Sequence, residues 1–169
     1  HLQGVASHLS GGHIFLEFAI PRMGKRVDAL IVYRGVVFVI EYKVGAKAFE
    51  SHAVDQVLDY ALDLKNFHSG THPLTVIPIL VATGAPDASV ETEIWSDGVV
   101  RPSLTNRERF LDYLVALAEH FKGRELDVSA WEASPYKPTP TIVEAAQALY
   151  QGHDVEEISR SEAGAENLS

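Results

Sequence analysis

Arg26-Val-Asp-Ala-Leu-Ile-Val-Tyr-Arg-Gly-Val-Val-Phe-Val-Ile-Glu-Tyr-Lys43 decides how this chain folds: two runs of β-branched and aromatic residues are separated only by Arg34-Gly35. A two-residue loop containing Gly favours a tight antiparallel turn. Pairing Tyr33 with Val36 sets the register and places Asp28 opposite Glu41 and Arg26 opposite Lys43. Directly opposed residues share a sheet face, with Cβ atoms roughly 5 Å apart. Two carboxylates and an ammonium therefore project from one end of one face. Two like charges about 4 Å apart repel by about 4 kcal/mol at an effective dielectric near 20. Mg²⁺ or Mn²⁺, which prefer hard oxygen ligands, would remove that penalty. The plainer alternative is a surface ion-pair cluster with Arg26 and Lys43, each pair worth about 0–1 kcal/mol. The apolar character of both strands weighs against it.

Outward from the hairpin, His13 to Ile20 reads as a preceding strand, and Pro21 to Lys25 supplies breakers for the turn between them. Val37, Val39 and Glu41 fall on one face of the third strand, with Val36, Phe38, Ile40 and Tyr42 on the other, as in a strand covered on both sides. After a loop of small residues over 44–51, a helix is expected from His52 to His68, with Val54, Val57, Leu58, Ala61 and Leu64 as its core stripe. Asp55, Asp59 and Asp63 read as its solvated face, and Gln56 and Tyr60, four apart, as neighbours on the flank. Leu74 to Thr83 reads as a buried strand, so strand, helix and strand imply a right-handed crossover to a parallel neighbour. The expected fold is α/β: a restriction-endonuclease-like mixed central sheet flanked by helices, an antiparallel hairpin followed by a β-α-β crossover.

In the second half, Glu93 to Val100 is expected as an edge strand. Asn106 to Phe121 is expected as a helix with Phe110, Leu111, Leu114, Leu117 and Phe121 inward. Ser134 to Pro140 is a proline-rich connector. Short helices are expected over Thr141 to Tyr150, capped by Thr141, and over Val155 to Arg160, before a small, polar, loose tail. The expected division is a first domain over 1–134 and a connector with short helices over 135–169.

At 169 residues and 46% hydrophobic content the chain is long enough to bury one full core. It has no Cys, which excludes disulfides and thiolate metal sites and fits a reducing cytoplasm. No apolar run approaches a membrane span, and His1 to Gly12 lacks the basic-then-apolar pattern expected of a signal peptide. The first residue is His rather than Met, so the chain is expected to be a fragment or a trimmed form. A net charge of −9 opposes nucleic-acid binding, which rests on cation contacts to phosphate. Arg22, Lys25, Arg26, Arg34, Lys43 and Lys47 nevertheless cluster in sequence around the acidic pair.

Asp28, Glu41 and Lys43, followed by Gln56 and Tyr60, give Asp-x12-Glu-x-Lys and Gln-x3-Tyr, a pattern that resembles the PD-(D/E)xK nuclease superfamily and its RecB-type members. Val27 stands where the superfamily's name has Pro, and little sequence precedes His13 to form the helix that usually leads into the first strand. The resemblance implies that Asp28, Glu41 and the backbone carbonyl of Tyr42 bind Mg²⁺, with Mn²⁺ able to substitute, and that Glu17 is an accessory ligand. It implies that Lys43 orients or activates the attacking water and that Gln56 and Tyr60 place the phosphate or Lys43. Apart from the resemblance, the local charge makes Arg22, Lys25, Arg26 and Lys47 the expected nucleic-acid contacts.

A looser likeness, over Asp55 to Lys65, Val81 to Pro86 and Tyr136 to Val143, is to bacterial proteins that fuse such a nuclease to a P-loop helicase. The chain holds no Gly-x4-Gly-Lys-Ser/Thr, so a motor domain would lie beyond Ser169. The expected activity is Mg²⁺-dependent hydrolysis of DNA, with RNA not excluded, in defence against foreign DNA or on damaged DNA. Two alternatives stand beside it: a non-cleaving nucleic-acid-binding module serving the motor, and a protein-interaction domain using the acidic second half.

Overall fold

The computed structural model describes residues 2–152 and forms two compact units, one ending at Lys137 and the other beginning at Pro138. In the first, α1 (Leu2–His8) leads into β1 (His13–Ile20), β2 (Lys25–Tyr33) and β3 (Val36–Lys43). Then come α2 (Ser51–Phe67), a single 3-10 turn over Ser69–Thr71, β4 (Thr75–Ala82), β5 (Ser103–Thr105), α3 (Phe110–Phe121) and α4 (Val128–Glu132). The five strands lie in chain order in one sheet. β1, β2 and β3 are antiparallel, whereas β3, β4 and β5 are parallel. The expected mixed α/β architecture is the one observed.

The hairpin pairs Tyr33 with Val36 and Ala29 with Ile40, as its spacing predicts. Arg34 and Gly35 both take positive φ, 44° and 79°, matching the right-handed strand twist as a type I′ turn does. The β2–β3 ladder stops at Ala29 and Ile40, so Arg26 is not paired with Lys43 but lies against Ala19 of β1. β3 is buried on both faces. Val36, Phe38 and Ile40 join Val5, Leu9, Phe110, Leu114 and Leu117 of α1 and α3. Val37 and Val39 join Ala53, Val57, Tyr60, Ala61 and Leu64 of α2, together with Trp131. Helices thus cover both faces of the sheet, and α2 connects the parallel pair β3 and β4.

Pro78 sits inside β4, where a missing N–H would ordinarily break a ladder. It falls in an interval: Val76 exchanges hydrogen bonds with Gly98 and Val100, and pairing with β5 resumes only at Ile79. The expected edge strand over Glu93 to Val100 is instead a loop with bridges from Ile94 to Val100 and from Val99 to Val76. The true edge is Ser103–Thr105, too short to show alternation. The α3 helix starts at Phe110 rather than Asn106, because the Asn106 side chain accepts the Glu108 and Arg109 N–H groups and donates to the Ala85 carbonyl.

Asp63 was expected in solvent but is 7% exposed, held by Arg22 at 3.0 Å. Ser134 to Lys137 belongs to the first unit, three residues beyond the expected boundary. Pro135 and Phe67 carbonyls accept from the Ser69 and Lys137 N–H groups, and His68 pairs with Tyr136. In the second unit residues 140–152 are helical, capped by the Thr139 hydroxyl, which accepts the Ile142 N–H at 3.2 Å. The cap is therefore Thr139, not Thr141. The helix expected over Val155 to Arg160 and the tail lie outside the described residues.

Candidate active site

The site forms where β2 and β3 separate. Beyond Ala29 and Ile40 the Asp28 carboxylate, through Oδ2, accepts the Tyr42 backbone N–H at 2.8 Å. A side chain thereby replaces the next ladder bond. On the other side of Asp28 the ladder also lapses: Leu16 pairs with Ala29 and Phe18 with Val27, but Glu17, at φ 49°, has no partner. A non-Gly residue in that region marks local distortion. The sheet thus opens between β2 and β3 at Asp28, while the β1–β2 ladder skips only Glu17 and resumes at Phe18 and Val27.

Glu41 and Lys43 point toward α2. Glu41 is 6% exposed, and its Oε1 lies 3.5 Å from Lys43 Nζ. Lys43 Nζ donates to Gln56 Oε1 at 2.8 Å, and Gln56 Nε2 donates to the Tyr60 hydroxyl at 2.9 Å. Gln56 and Tyr60 are one helical turn apart, so one face of α2 presents both to the strand. Tyr60 is buried, which makes its ring part of the core and leaves its hydroxyl for this chain of bonds.

The electrostatics are unfavourable for an anion at Glu41. Burial raises its carboxyl above the usual carboxylate range, and the Asp28 charge adds to the rise, against the opposing pull of Lys43 and of a hydrogen bond from the Asp28 backbone. Glu41 Oε2 is buried with no hydrogen-bond partner. A buried lone carboxylate oxygen is costly unless something positive meets it. Asp28, Glu41 and the Tyr42 carbonyl are hard oxygen donors of the type Mg²⁺ takes, so the donor chemistry fits such a cation. Among the described residues, however, no three His, Asp or Glu side chains gather as a metal-binding group. Glu17 is exposed and ion-paired with Arg26 at 3.6 Å, so it does not join the acidic pair.

The expected cations do not form one patch. Arg22 is engaged by Asp63 and stacks 3.6 Å over the Phe67 ring. Arg34 lies in the hairpin turn, at the opposite end of the strands, where its carbonyl accepts the Gly123 N–H. Lys25 is exposed at the start of β2, and Lys47 is exposed on the loop after β3. That loop is anchored: Thr83 Oγ1 accepts the Gly45 N–H at 2.8 Å, and the Thr83 N–H donates to the Lys43 carbonyl. With the start of α2 it frames an open cleft of about 640 Å³ lined by Lys43, Ala46, Ala48, Glu50, His52 and neighbouring residues. His52 is exposed and lies 3.2 Å from Glu50. The part of the 44–51 loop in shaping this cleft was not legible in a run of small residues.

No family model, curated protein or solved structure matches the chain. Among the described residues no helix is long and apolar enough to cross a membrane.

Proposed function

We propose that this chain is a metal-dependent nuclease that hydrolyses phosphodiester bonds of DNA at the Asp28–Glu41–Lys43 site. The observation that carries the reading is the meeting of two carboxylates and one ammonium at the split end of a hairpin, with Glu41 Oε2 buried and unpartnered. A fold maintained for stability alone has no use for that oxygen, since an apolar residue in its place would avoid the desolvation cost.

On this reading Asp28, Glu41 and the Tyr42 carbonyl hold Mg²⁺, which would lower the pKa of a water and neutralise charge on the phosphate. Asp28 is oriented by the Tyr42 N–H, which leaves Oδ1 for ligation. Lys43, fixed by Gln56, sets its ammonium against the scissile phosphate and the water. Tyr60 holds Gln56 in the orientation that presents Oε1 rather than Nε2 to the ammonium. Glu17 has no part in this.

An active site of this kind on a chain of net charge −9 binds its polymer weakly by itself. A covalently attached P-loop motor beyond Ser169 would supply grip and direction, and the lack of Cys suits work in the cytoplasm. Defence against foreign DNA, or processing of damaged DNA, is the setting such a pairing suits. The second reading is a non-cleaving module that positions nucleic acid for the motor, favoured by the cleft beside Lys43 and His52.

Incubation of the chain with single- and double-stranded DNA and RNA, in Mg²⁺, Mn²⁺ or EDTA, separates the readings. The nuclease gives chelator-sensitive DNA products. Retarded mobility without products supports the binding module, and the absence of both products and retardation leaves the nucleic-acid readings without support.

A further inference from the structure

A second recess lies behind the strand that carries the site. Tyr42, Val44, Val81, Thr83 and Arg107 enclose about 220 Å³ on the side of the sheet away from α2. Its walls are apolar and aromatic, with the Tyr42 and Thr83 hydroxyls and the Arg107 guanidinium as polar groups. Specific small-ligand pockets commonly combine an apolar wall with a few placed polar groups. The recess shares Tyr42 and Val44 with the cleft beside Lys43, so the two cavities meet at the end of β3.

Val44 makes the junction unusual. It follows Lys43 directly, is 87% exposed and stands between the two cavities. The loop cannot turn it inward freely, because Gly45 and Lys43 are both tied to Thr83. The Thr83 hydroxyl accepts from Gly45 and keeps its own proton to donate. On the far wall the Tyr42 hydroxyl is buried without a hydrogen-bond partner. An apolar slot with polar groups at its edge and a cation at its rim has the chemistry of a planar heterocycle beside a phosphate.

We infer that this recess takes one unpaired nucleobase of the strand whose phosphate lies against Lys43, with Val44 against the base face and Thr83 and Arg107 at its polar edge. The inference rests on the nuclease reading and adds a substrate class to it. A base held in a duplex is stacked and paired, so it enters such a slot only from a single strand or a frayed end. Single-stranded substrates, or duplexes with unpaired ends, are therefore bound ahead of blunt duplexes.

The test is an abasic scan. A fluorescent single-stranded oligodeoxynucleotide and a series carrying one abasic residue at successive positions are titrated with the chain in EDTA, and anisotropy is recorded. Stacking of one base is worth enough that its removal at the matching position weakens binding about tenfold. Val44→Asp and Arg107→Ala, whose side chains lie at the surface, are predicted to bind the intact oligonucleotide about tenfold more weakly and to flatten the scan. Thermal unfolding run alongside shows that each variant folds, and the scan on the parent chain decides the matter if one does not. Cleavage of the intact oligonucleotide in Mg²⁺ is measured separately. A chain that cleaves but gives a flat scan, or binds blunt duplex equally well, overturns the base slot and leaves the nuclease reading standing. A chain that neither cleaves nor binds removes both.

Discussion

The Tyr42 backbone N–H donates to Asp28 Oδ2 at 2.8 Å, in the position where the next rung of the β2–β3 ladder would lie. This one bond closes the β2–β3 ladder and begins the site. It keeps the Tyr42 amide satisfied where the strands part, with the Asp28 charge near enough to raise the Glu41 carboxyl.

Removing the Asp28 carboxylate therefore has two consequences of opposite sign. Asp28→Ala leaves the Tyr42 N–H without its acceptor, a cost of about 1–3 kcal/mol if it stays buried, and relieves the repulsion felt by Glu41. Asp28→Asn keeps the acceptor and removes the charge, so it is expected to melt above Asp28→Ala in EDTA. Equal melting temperatures for the two variants would show that the Tyr42 bond carries no weight.

Glu41 gives the test of the cation that does not depend on turnover. Its folded-state pKa lies above the unfolded value, chiefly through burial. Such an acid favours folding in its neutral form, so its contribution is present below the ordinary carboxylate range and is lost as pH rises through the folded value. Above the folded value the ionised group is a burden. Glu41→Gln is expected to raise the melting temperature in EDTA by about 2–4 °C, the shift that roughly 1 kcal/mol produces at this size. Added Mg²⁺ should stabilise the parent chain and leave Glu41→Gln unmoved. Thermal unfolding with and without Mg²⁺ checks both statements.

Much of this was legible in the chain. The Arg34-Gly35 loop determines the register, and β-branched strands on either side leave no room to slip it by one, since every core residue would change faces. Asp28, Glu41, Lys43, Gln56 and Tyr60 then follow from alternation and helical spacing. What was not legible depended on long-range partners. Glu17 lies in register with Asp28 but has positive φ and turns to Arg26. Asp63 reads as surface on an amphipathic helix, yet Arg22, 41 residues away, makes its burial tolerable. The Ser103–Thr105 strand has only three residues and no pattern of its own.

His68 is a second case hidden from the sequence. Its ring is buried, with Nδ1 2.6 Å from Thr71 Oγ1 and Nε2 3.0 Å from Ser134 Oγ, and it packs edge-on against Trp131. Burial, with His72 nearby, pushes its pKa down to about 4. A depressed value means the neutral ring is favoured in the fold. Its contribution is whole above the ordinary His value of about 6.5 and is lost as pH falls from there to about 4. The loss is of the order of 3 kcal/mol. Urea unfolding of the parent and of His68→Gln at pH 7.5 and pH 4.5 measures it: the gap between the two proteins should narrow in acid. A constant gap would contradict the buried neutral ring.

The turn that sets the register has its own signature. Gly35 has φ 79°, and a Cβ there would meet the Arg124 carbonyl oxygen at 3.3 Å. Gly35→Ala is expected to cost about 1–2 kcal/mol through left-handed backbone strain, read as a lower urea midpoint with an unchanged slope. An unaltered midpoint would mean that the turn does not constrain the hairpin.

Gln56 connects the helix to the chemistry. Gln56→Ala releases Lys43 and leaves the Tyr60 hydroxyl without its donor, so turnover should fall by about 10–100-fold, in the range of one lost positioning contact, with Mg²⁺ stabilisation retained. Loss of the Mg²⁺ effect as well would place Gln56 among the ligands instead.

The central claim is that Asp28, Glu41 and Lys43 act together on a phosphodiester bond. Its most direct test is cleavage of DNA in Mg²⁺ by the parent chain and by Asp28→Ala, Glu41→Ala and Lys43→Ala, each confirmed folded. The account predicts products from the parent alone, abolished by EDTA, with Lys43→Ala still stabilised by Mg²⁺. Three variants that cut as fast as the parent would contradict it.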